Sequence, residues 1–164
     1  MKTFIVFILG ILIAAPLLAQ VPDSSKSWGG PAVKFDPARD AEKDIKEAVI
    51  AARQSGRRIL LDVGGEWCIW CHRLDSLFIK NNDLEEYRDK HFVVVKINVS
   101  KENMNKEVLS NYPKVAGYPH LFVLDQNGEL LCSQNTGELE YPEDYPVKGH
   151  DRAKVFAFLR KWGK

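Results

Sequence analysis

Cys68 and Cys71 stand two residues apart in Glu66-Trp67-Cys68-Ile69-Trp70-Cys71-His72, directly after the apolar run Ile59-Leu60-Leu61-Asp62-Val63. Two thiols at this spacing, where a strand gives way to a helix, form a dithiol suited to redox exchange. A helix N-terminus carries about half a positive charge and unpaired N–H groups, which favour a thiolate on the first cysteine. The first helical turn brings the second cysteine round to close a disulfide. The same residues also satisfy C-x-x-C-H, the pattern for covalent haem attachment. That chemistry would need His72 on the iron and a second ligand from Met104, His91, His120 or His150. A strand-forming run just before the motif does not suit a small helical haem fold. Zinc on Cys68, Cys71 and two histidines is a third chemistry, but no second spaced ligand pair accompanies the first. Thiol exchange is the expectation, with neither a metal nor an organic cofactor.

The elements that must position this motif follow from periodicity. Asp36-Pro37 predicts a helix start, with Asp as cap and Pro at the first helical position. Ile45, Ala48, Val49 and Ala52 fall at helical spacing, and Gly56 ends that helix. Ile59 to Val63 reads as a strand buried on both faces. A helix from Cys68 carries Leu74, Leu77 and Phe78 on one side and pauses at Asn81-Asn82-Asp83, before Leu84 and Tyr87. His91 to Val99 reads as a second buried strand, and Glu102 to Ser110 as a helix broken by Tyr112-Pro113. Strands at Leu121 to Leu124 and Glu129 to Ser133 join through Asp125-Gln126-Asn127-Gly128, whose Asn-Gly pair signals a hairpin. Glu138 to His150 is polar and reads as a loop. Asp151 caps a last helix with Val155, Phe156, Leu159 and Trp162 on its apolar face. This order implies an α/β fold, a central mixed sheet with helices on both faces.

Met1 to Ala19 reads as a secretory signal: Lys2, an apolar run from Phe4, and the small Ala19 at the cut. Leu17, three positions before the cut, leaves an uncleaved anchor as the alternative. Residues 20–34, rich in Pro, Ser and Gly with Trp28 among them, read as a tether, and residues 35–164 as the folded domain. Without Lys2 the remaining 22 basic residues balance 22 acidic ones (23 − 1 against 22), so no basic block points to nucleic acid. Three cysteines are an odd number for an oxidising compartment. The unmatched Cys132 reads as a small buried hydrophobe on a strand.

From Asp36 to Trp162 the chain resembles thioredoxin-fold proteins, and the exported branch with a W-C-x-W-C-H active site in particular. Asp62 lies six residues before Cys68, Trp67 precedes it, Lys96-Ile97-Asn98 follows on the second strand, and Gly117-Tyr118-Pro119 comes later in the expected order. The resemblance implies a thioredoxin-like fold and a thiol–disulfide oxidoreductase. In it Cys68, at an exposed helix start, attacks the substrate and the shielded Cys71 resolves the mixed disulfide. It implies that Asp62 is a buried proton acceptor for Cys71, that Lys96 balances its charge, and that Pro119 follows a cis peptide. Trp67, Trp70, Tyr118, Pro119 and His120 become the expected substrate contacts. His120 replaces the usual Thr after the proline, and Ile69-Trp70 replaces the Gly-Pro of thioredoxin. That intervening pair strongly affects thiolate and disulfide stability, so the redox direction does not carry over, and reduction is preferred on the buried-Asp pattern. A disulfide donor and a non-catalytic binding or chaperone module are the alternatives. The implied partners are disulfide- or thiol-containing proteins and a membrane or soluble redox partner; the implied state is a monomer.

Overall fold

A computed structural model of the protein describes residues 34–163. The expected leader, Trp28 and nearly all of the expected tether lie outside the described residues. Helix α1 (Ala41–Ser55) does not begin at Asp36-Pro37. Those residues make a turn, in which Asp36 Oδ1 accepts from the Ala38 N–H, and the cap passes to Asp40, which accepts from the Lys43 N–H. A local side-chain bond thus competes successfully with helix initiation. At its far end Gly56 adopts φ 72°, the left-handed conformation that a C-cap glycine supplies without steric cost.

Strand β1 (Arg58–Gly64) leads through the dithiol into α2 (Ile69–Lys80), and α3 (Asn82–His91) follows after a break at Asn81. Strand β2 (Phe92–Asn98) comes next, then a single-turn α4 (Lys106–Leu109). The helix expected over 102–110 is therefore shorter than its composition suggests. Asparagine side chains take its place: Asn98 Nδ2 donates to the Asn103 carbonyl, and Asn105 Nδ2 donates to the Asn98 carbonyl. Asn105 itself sits at φ 46°, so the segment is tied down by side-chain bonds rather than a helical ladder.

The hairpin of β3 (His120–Leu124) and β4 (Leu130–Asn135) closes as expected. Only Gly128 has positive φ in its turn, which fits a type I turn with a glycine bulge rather than two left-handed residues. A short 3-10 turn, Thr136–Leu139, an excursion over 140–150 and α5 (Arg152–Trp162) complete the chain. The sheet order is β2-β1-β3-β4, with β1 and β2 parallel and the other pairs antiparallel. Alternation along β1 sends Ile59, Leu61 and Val63 to the core under α1, and Leu60 to the core under α2 and α5. Both faces are thus covered: β2 and β3 are buried along their whole length, and β1 everywhere but at Arg58.

Candidate functional site

The sequence turns sharply at Gly64-Gly65 because nothing larger fits. A Cβ on Gly64 would sit 2.5 Å from Cys71 Sγ, and one on Gly65 2.4 Å from Trp67 Nε1. Past this turn Cys68 caps α2, and its Sγ accepts from the Cys71 N–H at 3.1 Å. The two cysteines form a disulfide with Cα atoms 5.2 Å apart. An N–H at the helix start aimed at Sγ is the arrangement that favours a thiolate there once the disulfide opens. Cys68 is 4 % exposed and Cys71 1 %. The expected exposed attacking thiol is therefore covered in this oxidised form, and what reaches solvent is Trp67 at 62 % and Ile69 at 60 %.

Asp62 and Lys96 are register partners across β1 and β2, and Lys96 Nζ donates to Asp62 Oδ2 at 2.8 Å. The same ammonium donates to Asp75 Oδ1 on α2 at 2.7 Å. Burial works to lower the Lys96 pKa, but the two carboxylates together outweigh it and hold it above the ordinary lysine value. Asp75 is pushed upward, chiefly by burial and further by Asp62, against the pull of Lys96. One cation between two carboxylates leaves a negative charge in excess. Asp62 Oδ1 is buried without a hydrogen-bond partner among the described residues. Phe35 joins this charge cluster to the dithiol: its ring lies 4.0 Å from Lys96 Nζ and packs with Cys68 and Cys71. Its N–H donates to Glu66 Oε1.

On the open side, Trp67 Nε1 donates to the Val99 carbonyl at 2.6 Å, and its ring meets Tyr118 edge-on at 5.6 Å. The Tyr118–Pro119 peptide is cis. A groove of about 400 Å³ runs between Trp67, Val99, Ser100, Met104 and Tyr118. Trp70 is half-buried, with the Arg73 guanidinium 4.4 Å above its ring. His72 is held by the Glu66 carbonyl at 2.8 Å.

His120 does not join this group. Its ring is 4 % exposed, bonds Ser133 through Nε2 and packs on Phe122, a residue of the core under α1. The pleat that sends Asp62 to one face sends His120, the register partner of Val63, to the other. Its ring is not offered to a substrate, and burial lowers its pKa.

Phe35, Gly64 and Asp75 are not singled out by the sequence, and His150 is singled out there only as a candidate iron ligand. Gly64 had a readable signal, a Gly-Gly pair between strand and motif. The other three meet the site only through tertiary packing. Cys132 is free and half-buried on the edge strand β4, and burial raises its pKa, which makes it a poor nucleophile at neutral pH.

A thioredoxin-like family profile matches residues 40–126. Thiol:disulfide interchange protein DsbD of Pseudomonas fluorescens is 31% identical over 143 residues, which span 82% of this chain and 22% of that protein. Disulphide isomerase from Xylella fastidiosa superposes with a TM-score of 0.65 at 28% identity, over 77% of this chain and 94% of that one. The oxidised C-terminal domain of DsbD from Neisseria meningitidis gives a TM-score of 0.55 at 16% identity, over 75% of this chain and 96% of that one, a likeness of fold.

Proposed function

This chain is a member of the thioredoxin-like family, and from that premise we propose that it is an exported thiol–disulfide oxidoreductase that reduces protein disulfides. The observation that carries the reading is the Cys68–Cys71 pair at the start of α2, backed by the buried Asp62–Lys96 pair. In the proposed cycle the Cys68 thiolate attacks a substrate disulfide and forms a mixed disulfide. Cys71 then gives its proton to Asp62 and displaces the substrate thiolate, leaving Cys68–Cys71 oxidised. Lys96 holds Asp62 through Oδ2 and leaves Oδ1 without a partner among the described residues, open to accept. A separate thiol or membrane donor restores the dithiol. Trp67, Tyr118 and Pro119 supply the docking surface, and the backbone of Tyr118 pairs with an extended substrate segment. Trp70 borders that surface from the α2 side. The names of two of the similar proteins above, an interchange protein and an isomerase, fit thiol exchange in either direction.

Residues 1–19 serve as the export signal in this reading, 20–34 as the tether, and 35–164 as the catalytic domain. No helix among the described residues is long and apolar enough to cross a membrane.

The test is catalysed reduction of a protein disulfide by a small thiol, together with the reduction potential of the pair. Wild type should accelerate the reaction, and Cys68→Ser and Cys71→Ser should each abolish it. A potential near about −270 mV supports a reductase, whereas one near about −120 mV makes the protein a disulfide donor. A pair that does not titrate reversibly overturns the oxidoreductase reading and leaves a binding module built on the Trp67 groove.

A further inference from the structure

Phe35 comes from the segment before α1, yet its ring is 1 % exposed and packs on both Cys68 and Cys71. Gly64 makes room for it. A Cβ there would stand 2.5 Å from Cys71 Sγ and 3.0 Å from Phe35 Cζ, so sulfur and ring tip close over the same bare backbone. The same ring meets the Lys96 ammonium, with Nζ 4.0 Å from its centroid. An ammonium has three N–H donors. Two of them serve Asp62 Oδ2 and Asp75 Oδ1, and the face of Phe35 is a further neighbour of Nζ, a cation–π contact. Charged groups therefore surround the ring and the sulfurs from four places: Asp62 on β1, Lys96 on β2, Asp75 on α2 and Glu66 in the turn. Backbone bonds hold the ring in this position. The Phe35 N–H donates to Glu66 Oε1 at 2.8 Å, and Asn103 Nδ2 donates to the Pro37 carbonyl at 3.0 Å.

We propose that Phe35 is a positioning residue of thiol exchange: its ring keeps the Lys96 ammonium off the two sulfurs and so keeps the dithiol reducing. The proposal rests on the oxidoreductase reading above and gives its reductase direction a physical cause. A thiolate gains stability beside a lysine and loses it in apolar surroundings. With the ring in place, Nζ faces two carboxylates and a hydrocarbon face, and the sulfurs meet hydrocarbon on that side. The thiolate is then the less stable state. A disulfide whose reduced form lacks such stabilisation is harder to reduce, which lowers its potential and makes the dithiol the stronger reductant. Without the ring, the remaining donor of Lys96 reaches the sulfurs, and water enters with it. Both changes favour the thiolate.

The test uses the full chain in a Cys132→Ser background, equilibrated at neutral pH with dithiothreitol and its cyclic disulfide. Each dithiothreitol gives two electrons and two protons to Cys68–Cys71 and closes its own disulfide. Phe35→Ala should move this equilibrium about tenfold toward the protein dithiol, a rise in potential of about 30 mV. Phe35→Leu, which keeps an apolar side chain over Nζ, should stay within about threefold of wild type. Phe35→Val is read in place of the alanine variant if that one does not fold. A packing control comes from the other side of the motif. His150 is 2 % exposed and meets the Trp70 ring edge-on with centroids 5.9 Å apart, and His150→Leu should leave the equilibrium within about twofold. In a Lys96→Gln background, which keeps a donor for the carboxylates and removes the charge, Phe35→Ala should shift the equilibrium by less than about threefold. The single variants and the His150 control decide the case if the double variant does not fold. An unmoved equilibrium in Phe35→Ala, a shift toward the disulfide, an equal shift in His150→Leu, or an undiminished shift without Lys96 overturns the assignment. The wild-type potential tests the reductase reading and the difference from it tests Phe35, so the two fail separately.

Discussion

Three side chains on three segments set the charge behind the dithiol: Asp62 on β1, Lys96 on β2 and Asp75 on α2. Because one ammonium serves two carboxylates, a proton gained or lost there changes the field felt through Phe35 by both cysteines. Two predictions belong to this scale. Gly64→Ala would push a methyl into Cys71 Sγ and the Phe35 ring, and overpacking of this kind costs about 1–3 kcal/mol. Urea unfolding of the oxidised protein should show that loss, and a variant as stable as wild type would mean that the turn yields freely. The second concerns acid. The folded His150 pKa of about 4 lies below the ordinary value of 6.5, so the unfolded chain binds the proton more readily. The stability that follows is fully present above pH 6.5 and is lost as pH falls toward 4. The loss amounts to about 3 kcal/mol at about 1.4 kcal/mol per pKa unit. His150→Gln should flatten the acid limb of the stability curve over that window, and an unchanged limb would count against a buried neutral histidine.

Helix α2 presents the motif and α5 fixes its surroundings. The N-terminus of α2 faces Cys68, while Leu74 and Phe78 anchor the helix in the core, so the cysteines ride on a rigid element. The 140–150 excursion is pinned at its neck by the Glu140–His150 bridge and by the Asp151 N–H donating to the Leu139 carbonyl at 2.8 Å. Asp151 then caps α5 by accepting from the Ala153 and Lys154 N–H groups. Asp151→Ala should therefore destabilise the protein by about 0.5–2 kcal/mol. It should also loosen the ring of His150 against Trp70, which Trp fluorescence in the folded protein can report. Normal stability together with unaltered fluorescence would show that the neck holds His150 without the cap. Most element positions were legible from periodicity, because apolar spacing answers directly to burial on one face or two. The failures at Asp36-Pro37 and at 102–110 share a cause. Asp and Asn side chains bonded the backbone locally and displaced helical turns that composition favoured.

At the scale of the molecule, the mixed sheet carries its two cores on opposite faces and brings the C-terminal end of β1, the start of β3 and the neck before α5 around one disulfide. The dithiol, the strand–helix junction that activates it, the Asp62–Lys96 pairing and the order of the sheet elements followed from the sequence, the pairing through family resemblance. Their signatures are short in sequence or periodic, and each element answers to its own hydrophobic pattern. Tertiary structure alone decided which distant polar groups share the low-dielectric space behind the cysteines. It brought in Phe35, Asp75 and His150, and it turned His120 away to the α1 face. No local pattern encodes those meetings. They depend on the direction in which each strand's pleat points a side chain, and on which helix crosses above it.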